Sequence, residues 1–242
     1  MKRLLKYMLV AGCLCVEAVY ANLVISPTQM YLGDKARQRS ATVVMEATDL
    51  TESKSFEMSA YKWSQNAQGE DVLEPEQDIL INPKNFVLQP NAQQVIRVGF
   101  SRPLSKEEMA QEKTWRIVFK EIAPVVEEDA LQFLFTISVP LFVGKQDAIN
   151  VTATPRYQNN RLFLEIENHA ASHVQISSIS ILDQKKQAIA TSSEMKYLLN
   201  QQKHSFDMGQ IKLSDLKNYI LKLETDKSEQ AIEFKNEGLN HA

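Results

Sequence analysis

Four histidines, two cysteines and one knot of carboxylates are the side chains here best able to bind metal or attack a substrate. His169 and His173 stand four apart, a spacing by which one helix face can present two zinc ligands. Their neighbours read instead as a turn entering a strand, with no acidic third ligand nearby, so the expectation is a solvated loop pair and no metal. Glu127, Glu128 and Asp129 are adjacent, which makes a solvated tip; glycoside cleavage needs two opposed carboxyls in a pocket. Motifs of the GxSxG, HExxH and Walker types are missing. Catalytic residues and cofactors are therefore expected to be none. What remains is the chemistry of recognition: apolar stripes, main-chain edges and well-placed cations.

The composition supports that view. The chain has 242 residues, 44% of them hydrophobic, enough for one large domain or two of ordinary size. A net charge of -3 argues against nucleic acid, which demands a basic surface. Residues 1–21 read as a secretory signal peptide: Lys2, Arg3 and Lys6, an apolar run from Tyr7 to Val16, then Ala21 at the cleavage position. The run is too short to span a bilayer and Glu17 interrupts it, so no stable membrane insertion is expected. Val10-Ala11-Gly12-Cys13 also has the form of a bacterial lipoprotein box, a second reading of the same stretch. Cleavage after Ala21 removes Cys13 and Cys15 and leaves a chain near -5 that must rely on packing, not disulfides.

Beyond residue 21 the hydrophobic period is two, in short runs with polar or proline-containing breaks. Strands are expected at 23–32 (with Pro27 marking an edge or bend), 40–47, 55–64, 78–81, 85–88, 93–100, 114–122 and 131–143. Residues 65–74 read as a loop and 101–113 as a helix-like polar connection. A second set follows at 150–154, 161–168, 173–182, 195–199, 218–225 and 230–235. The predicted fold class is all-β: two immunoglobulin-like β-sandwich domains, 22–143 and 149–242, joined by a short hinge at 144–148.

One run is unusual. From Leu131 to Val143 it is thirteen residues long, where strands average about five or six. Leu131, Phe133, Phe135, Ile137 and Val139 share one face, and the other face is mixed. Such a stripe is either a central core strand or an edge strand that lends its side chains and backbone to a partner.

The ordered set of motifs around it resembles the periplasmic chaperones of the chaperone–usher pilus-assembly family. The carriers are Ser26-Pro27-Thr28-Gln29, then Phe86-Val87-Leu88 with Pro90, then Gln94-Val95-Ile96-Arg97-Val98, then Trp115-Arg116-Ile117-Val118-Phe119-Lys120-Glu121-Ile122. Ile137-Ser138-Val139-Pro140-Leu141-Phe142 and Leu164-Glu165-Ile166-Glu167-Asn168 complete it, and Pro140 resembles the archaic branch. The resemblance implies a periplasmic location, pilus subunits (pilins) and an outer-membrane usher as partners, and a G strand at 131–139 lent to each subunit's incomplete fold. The subunit-binding residues would be Leu131, Phe133, Phe135, Ile137 and Val139. Fully buried, these five give a gross ~8–15 kcal/mol before ordering and association costs. Self-association of the free chain through the same stripe is plausible on these grounds. A secreted two-domain structural or adhesive protein is the alternative reading.

The resemblance also implies two cations gripping the subunit's terminal carboxylate, but Gln29 and Pro140 stand at the matching positions. A desolvated carboxylate still needs a cation. Ordinary hairpin pairing of 114–122 with 131–139 sets Lys113 near position 140 and Arg116 opposite Ile137. Arg116 is the expected anchor, with Lys113 and Lys145 as helpers. The family's interdomain salt bridge would use Glu121, with Lys145 the neighbouring cation, and Ala47 stands where family members usually carry Asn.

Overall fold

In the computed structural model, which describes residues 22–33, 39–124, 133–213 and 218–235, the alternating segments form strands throughout. The expectations for the signal peptide, the two cysteines, the 127–129 carboxylates and Leu131 fall outside the described residues. The first half contains β1 (Asn22–Ser26), β2 (Met30–Leu32), β3 (Ser40–Thr48), β4 (Lys54–Gln65), β5 (Asp71–Glu76), β6 (Ile79–Asn82), β7 (Asn85–Leu88), β8 (Gln93–Phe100), α1 (Lys106–Met109), β9 (Lys113–Ile122) and β10 (Thr136–Val143). The second half contains β11 (Val151–Gln158), β12 (Arg161–Asn168), β13 (Val174–Leu182), β14 (Ala188–Ser192), β15 (Lys196–Leu198), β16 (Lys203–Asp207), β17 (Ile220–Thr225) and β18 (Ser228–Lys235).

Each half packs two sheets face to face. In the first, β1-β3-β8-β6 faces β2-β10-β9-β4-β5, with β7 also paired to β4. In the second, β11-β12-β16 faces β14-β13-β17-β18, with β15 paired to β13. Strand β3 shows why: Ala41, Val43, Met45 and Ala47 alternate inward while their neighbours face out. They meet Phe56, Met58, Ile117 and Phe119 of the opposite sheet in one core. Leu164, Ile166, Ile176, Ile179, Phe206 and Leu223 belong to the other.

Several expectations need correction. The stretch 23–32 is not one strand: β1 joins one sheet, β2 the other, and Pro27 stands between them. The expected loop 65–74 ends in strand: residues 71–76 form edge strand β5, whose Asp71, Glu74, Pro75 and Glu76 disguise it, because edges carry charge and proline. Strands β14 and β16 are likewise additional. The 101–113 connection holds a single helical turn, closed by a Ser105–Glu108 capping box.

Gly144, directly after β10, has a φ of +109°, and its missing Cβ would lie 2.5 Å from the Gln111 carbonyl. Only glycine fits there. A third cluster, Trp63, Phe142 and Leu199 with Tyr197, seals the joint between the halves. Gln65 stitches it further, donating to the Tyr197 carbonyl at 2.9 Å and accepting from the Leu199 amide at 3.0 Å.

Candidate functional site: the open flank of β10 and the cleft beside it

Strand β10 is antiparallel to β9, with Ile137 opposite Phe119, Pro140 opposite Arg116 and Val143 opposite Lys113. The expected register is off by three residues. Among the described residues Phe135 is the first bonded across, its carbonyl accepting from the Glu121 amide at 2.9 Å. An antiparallel ladder alternates bonded pairs, so Phe135, Ile137 and Val139 bond inward and Thr136 and Ser138 turn their N–H and C=O groups outward. On that outer side β2 pairs only with Leu141–Val143. Residues 136–140 therefore have no strand on their outer flank among the described residues. Pro140 stands at the boundary, where its missing N–H leaves no orphan donor.

The stripe divides along the same line. Phe133 is 83% exposed and Phe135 37%. Ile137 is half-buried against the core, and Val139, 2% exposed, lies within it. The Val139 side chain is thus committed to its own domain, and only its strand remains available; the lower half of the expected capture surface is main chain. Leu134 adds exposed apolar surface on the other parity.

Glu121 anchors the ribbon's base. Its buried carboxylate pairs with Lys54 at 2.6 Å and accepts the Phe135 amide at 2.9 Å, while Lys54 Nζ sits 5.3 Å from the Phe135 ring centroid. Glu121 is therefore not the acid of an interdomain bridge, and Lys145 is held by Asp147 at 3.3 Å instead.

Beside the flank, Arg116 lies on the face turned away from the core. Its guanidinium carbon is 3.6 Å from the Trp63 ring centroid and 5.1 Å from that of Tyr197, which comes from the second half. The side chain is only 14% exposed, and its one ion-pair partner among the described residues is Asp71, at 3.9 Å. Burial pulls the Arg116 pKa down against the nearby Asp71 and Tyr197, yet a guanidinium keeps its charge. Trp63 Nε1 is buried with no acceptor among the described residues. The arrangement is a desolvated, weakly paired cation on an aromatic platform, suited to a carboxylate. Lys113 is exposed and, three residues from Arg116 along β9, points to the opposite face; it does not join this cleft. Gln29 does border it: its amide donates to Tyr197 Oη at 2.7 Å and to Gln175 Oε1 at 2.8 Å, and accepts from Tyr31 at 2.5 Å. It bridges the halves in place of a cation.

Sequence reasoning missed Trp63, Tyr197 and the role of Phe142, although a signal existed. In β4 the core residues Phe56, Met58 and Ala60 share one parity and Trp63 has the other; in β10 Phe142 breaks parity with Val139, Leu141 and Val143 in the same way. Large aromatics on the wrong face mark a second contact. His173 also departs from expectation. It is not in a solvated loop but fully buried at the joint, its ring stacked on Phe142 with centroids 3.4 Å apart. His169 lies apart from it, bonded to Thr152 at 2.9 Å.

Residues 22–144 match the family described as pili and flagellar-assembly chaperone, PapD N-terminal domain. Among solved structures, a chain of the complex between CsuC and CsuE, a chaperone–tip adhesion subunit pre-assembly complex from archaic Csu pili of Acinetobacter baumannii, is similar. It has a TM-score of 0.62 at 14% identity over 88% of this chain and 97% of that one. The E. coli chaperone DraB gives 0.58 at 15% identity, covering 91% of this chain and 97% of its own. The Salmonella enterica SafA pilin–SafB chaperone complex gives 0.56 at 15%, covering 89% and 95%. No curated protein sequence matches the chain.

Proposed function

The chain belongs to the pili and flagellar-assembly chaperones, and on that premise we propose that it captures pilus subunits in the periplasm, lends them β10, and delivers them to an outer-membrane usher. The observation that carries the reading is the unpaired outer flank at 136–140, continued by the exposed Phe133 and Phe135. A subunit lacking its last strand exposes an apolar groove and a bare edge, both aggregation hazards. Thr136 and Ser138 supply the missing ladder bonds, and the two phenylalanines enter the groove. Their burial is worth at most about 3–6 kcal/mol gross, so the bound strand can be exchanged for one that fits better. The subunit's terminal carboxylate pairs with Arg116 above Trp63. Solved relatives of the fold include chaperones held with a tip adhesion subunit or a pilin.

Co-expression with an adjacently encoded pilus subunit, followed by periplasmic purification, tests this. The intact chain should retain the subunit in a soluble complex. A Phe133→Glu, Phe135→Glu chain should lose it while keeping its thermal midpoint, since both rings are already outside the core. Undiminished capture by that double variant refutes the lent strand and leaves an adhesive role as the better reading.

A further inference from the structure

At the joint between the halves, His173 meets a carboxylate at each ring nitrogen. Nδ1 is 2.8 Å from Glu112 Oε2, and Nε2 is 3.2 Å from Asp226 Oδ2. Glu112 precedes β9 and Asp226 lies in the β17–β18 turn, so the ring links the two halves. Its orientation is fixed twice more. The His173 amide donates to Glu112 Oε1 at 2.6 Å, and the ring stacks on Phe142 at an interplanar angle of 6°. The acids are held as well: Glu112 also accepts from Gln146, and Asp226 from the Gln175 amide at 2.8 Å.

With both acids ionised, the donor count calls for a proton on each ring nitrogen. A neutral imidazole has one N–H and one lone pair, whichever tautomer it adopts. Here the lone pair would face a carboxylate oxygen inside a joint where the ring is 0% exposed and both acid side chains are under a tenth exposed. That contact is repulsive, and burial leaves it little screened by solvent. The surrounding charges point the same way. Lys227 stands nearby, its ammonium 2.6 Å from Ser172 Oγ and in the field of Glu112, Asp226 and Asp147. Tyr31 and Tyr197 complete the wall, with ring centroids 6.1 Å from His173, and burial beside these acids pushes Tyr31 well up, so it stays a neutral phenol. Burial pushes Asp226 up, but hydrogen bonds from His173 and the Gln175 amide, and the His173 and Lys227 charges, hold it below its ordinary value. With a neutral ring, Lys227 alone would face Glu112 and Asp226; a charged ring balances both.

We propose that this joint is a proton-binding site: His173 is held as an imidazolium between Glu112 of the first half and Asp226 of the second, and the proton locks the halves together. The folded chain then binds one proton more than the unfolded chain above neutrality, where a free imidazole is already neutral. Stability from the lock is complete in mild acid and falls as pH rises, by at most about tenfold in the folding constant per pH unit. This inference stands apart from subunit capture, and its test needs no subunit.

The experiment is nitrogen-detected NMR of histidine-labelled chain at about pH 7, with His173 assigned by the signal lost in His173→Gln. Both ring nitrogens should carry protons in the intact chain. Asp226→Asn removes one charge and offers an amide donor, so the same ring should then show one protonated and one bare nitrogen. Denaturation between about pH 6 and pH 9 should show stability falling in the intact chain, with a flatter profile in His173→Gln. A singly protonated His173 in the intact chain, or an unchanged pH slope in the variant, overturns the proposal.

Discussion

The two ends of β10 share one strand, one partner and one alternation, yet they have opposite fates. At the hinge end, Leu141–Val143 is flanked by β9 and β2, and Leu141, Phe142 and Val143 are all buried. At the far end, 136–140 has β9 as its one neighbour among the described residues, and the chain before it carries two exposed phenylalanines. Hydrophobicity does not separate them, for both ends are apolar. What separates them is the length of the neighbours. β2 is three residues long, runs parallel to β10 and begins at Met30 opposite Leu141, so the outer flank is open on the N-terminal side of β2. A strand becomes available to a partner because its own sheet runs out beside it.

Mutations can test this division. The largest effect is expected at the sealed end, where Phe142→Ala opens a cavity under Trp63 and His173 and should cost about 3–5 kcal/mol in chemical denaturation. Next comes the open end. Phe133→Ser with Phe135→Ser should weaken subunit binding about a hundredfold by calorimetry, while stability moves by under about 0.5 kcal/mol. A large stability loss in that double variant would place the phenylalanines in the core and erase the contrast. Arg116→Lys keeps the charge but loses the planar fork and the stacking on Trp63; binding should fall about tenfold, and a subunit lacking its terminal carboxylate should no longer distinguish the two chains. Ser138→Pro removes one outward N–H from an edge position that tolerates proline. It should weaken binding severalfold and leave stability nearly unchanged.

The same contrast shows how far the sequence could be read. Alternation located most strands and both sandwiches, because burial on one face of a strand forces period two. It could not tell Val139 from Phe135. The two share parity, and only the sheet geometry shows that one reaches its own core while the other overhangs it. Nor could it fix the β9–β10 register, since loop residues and strand residues look alike where a hairpin opens. Arg116 was legible as a cation near the flank, and the true register, facing Pro140, places it nearer the hinge. Its platform was not legible, because Trp63 and Tyr197 lie 53 and 81 residues away along the chain. His173 read as solvent-facing because Glu112 and Asp226 reach it only after both halves have folded.

The most direct test of the lent strand is amide hydrogen exchange at Thr136 and Ser138 in dilute free chain and in a purified complex with a pilus subunit. Open-flank amides should exchange rapidly in the free chain and become strongly protected in the complex, while the inward-bonded amides of Val139 and Leu141 change little. Slow exchange at Thr136 and Ser138 before any subunit is added, or no gain in protection when one binds, would contradict the account.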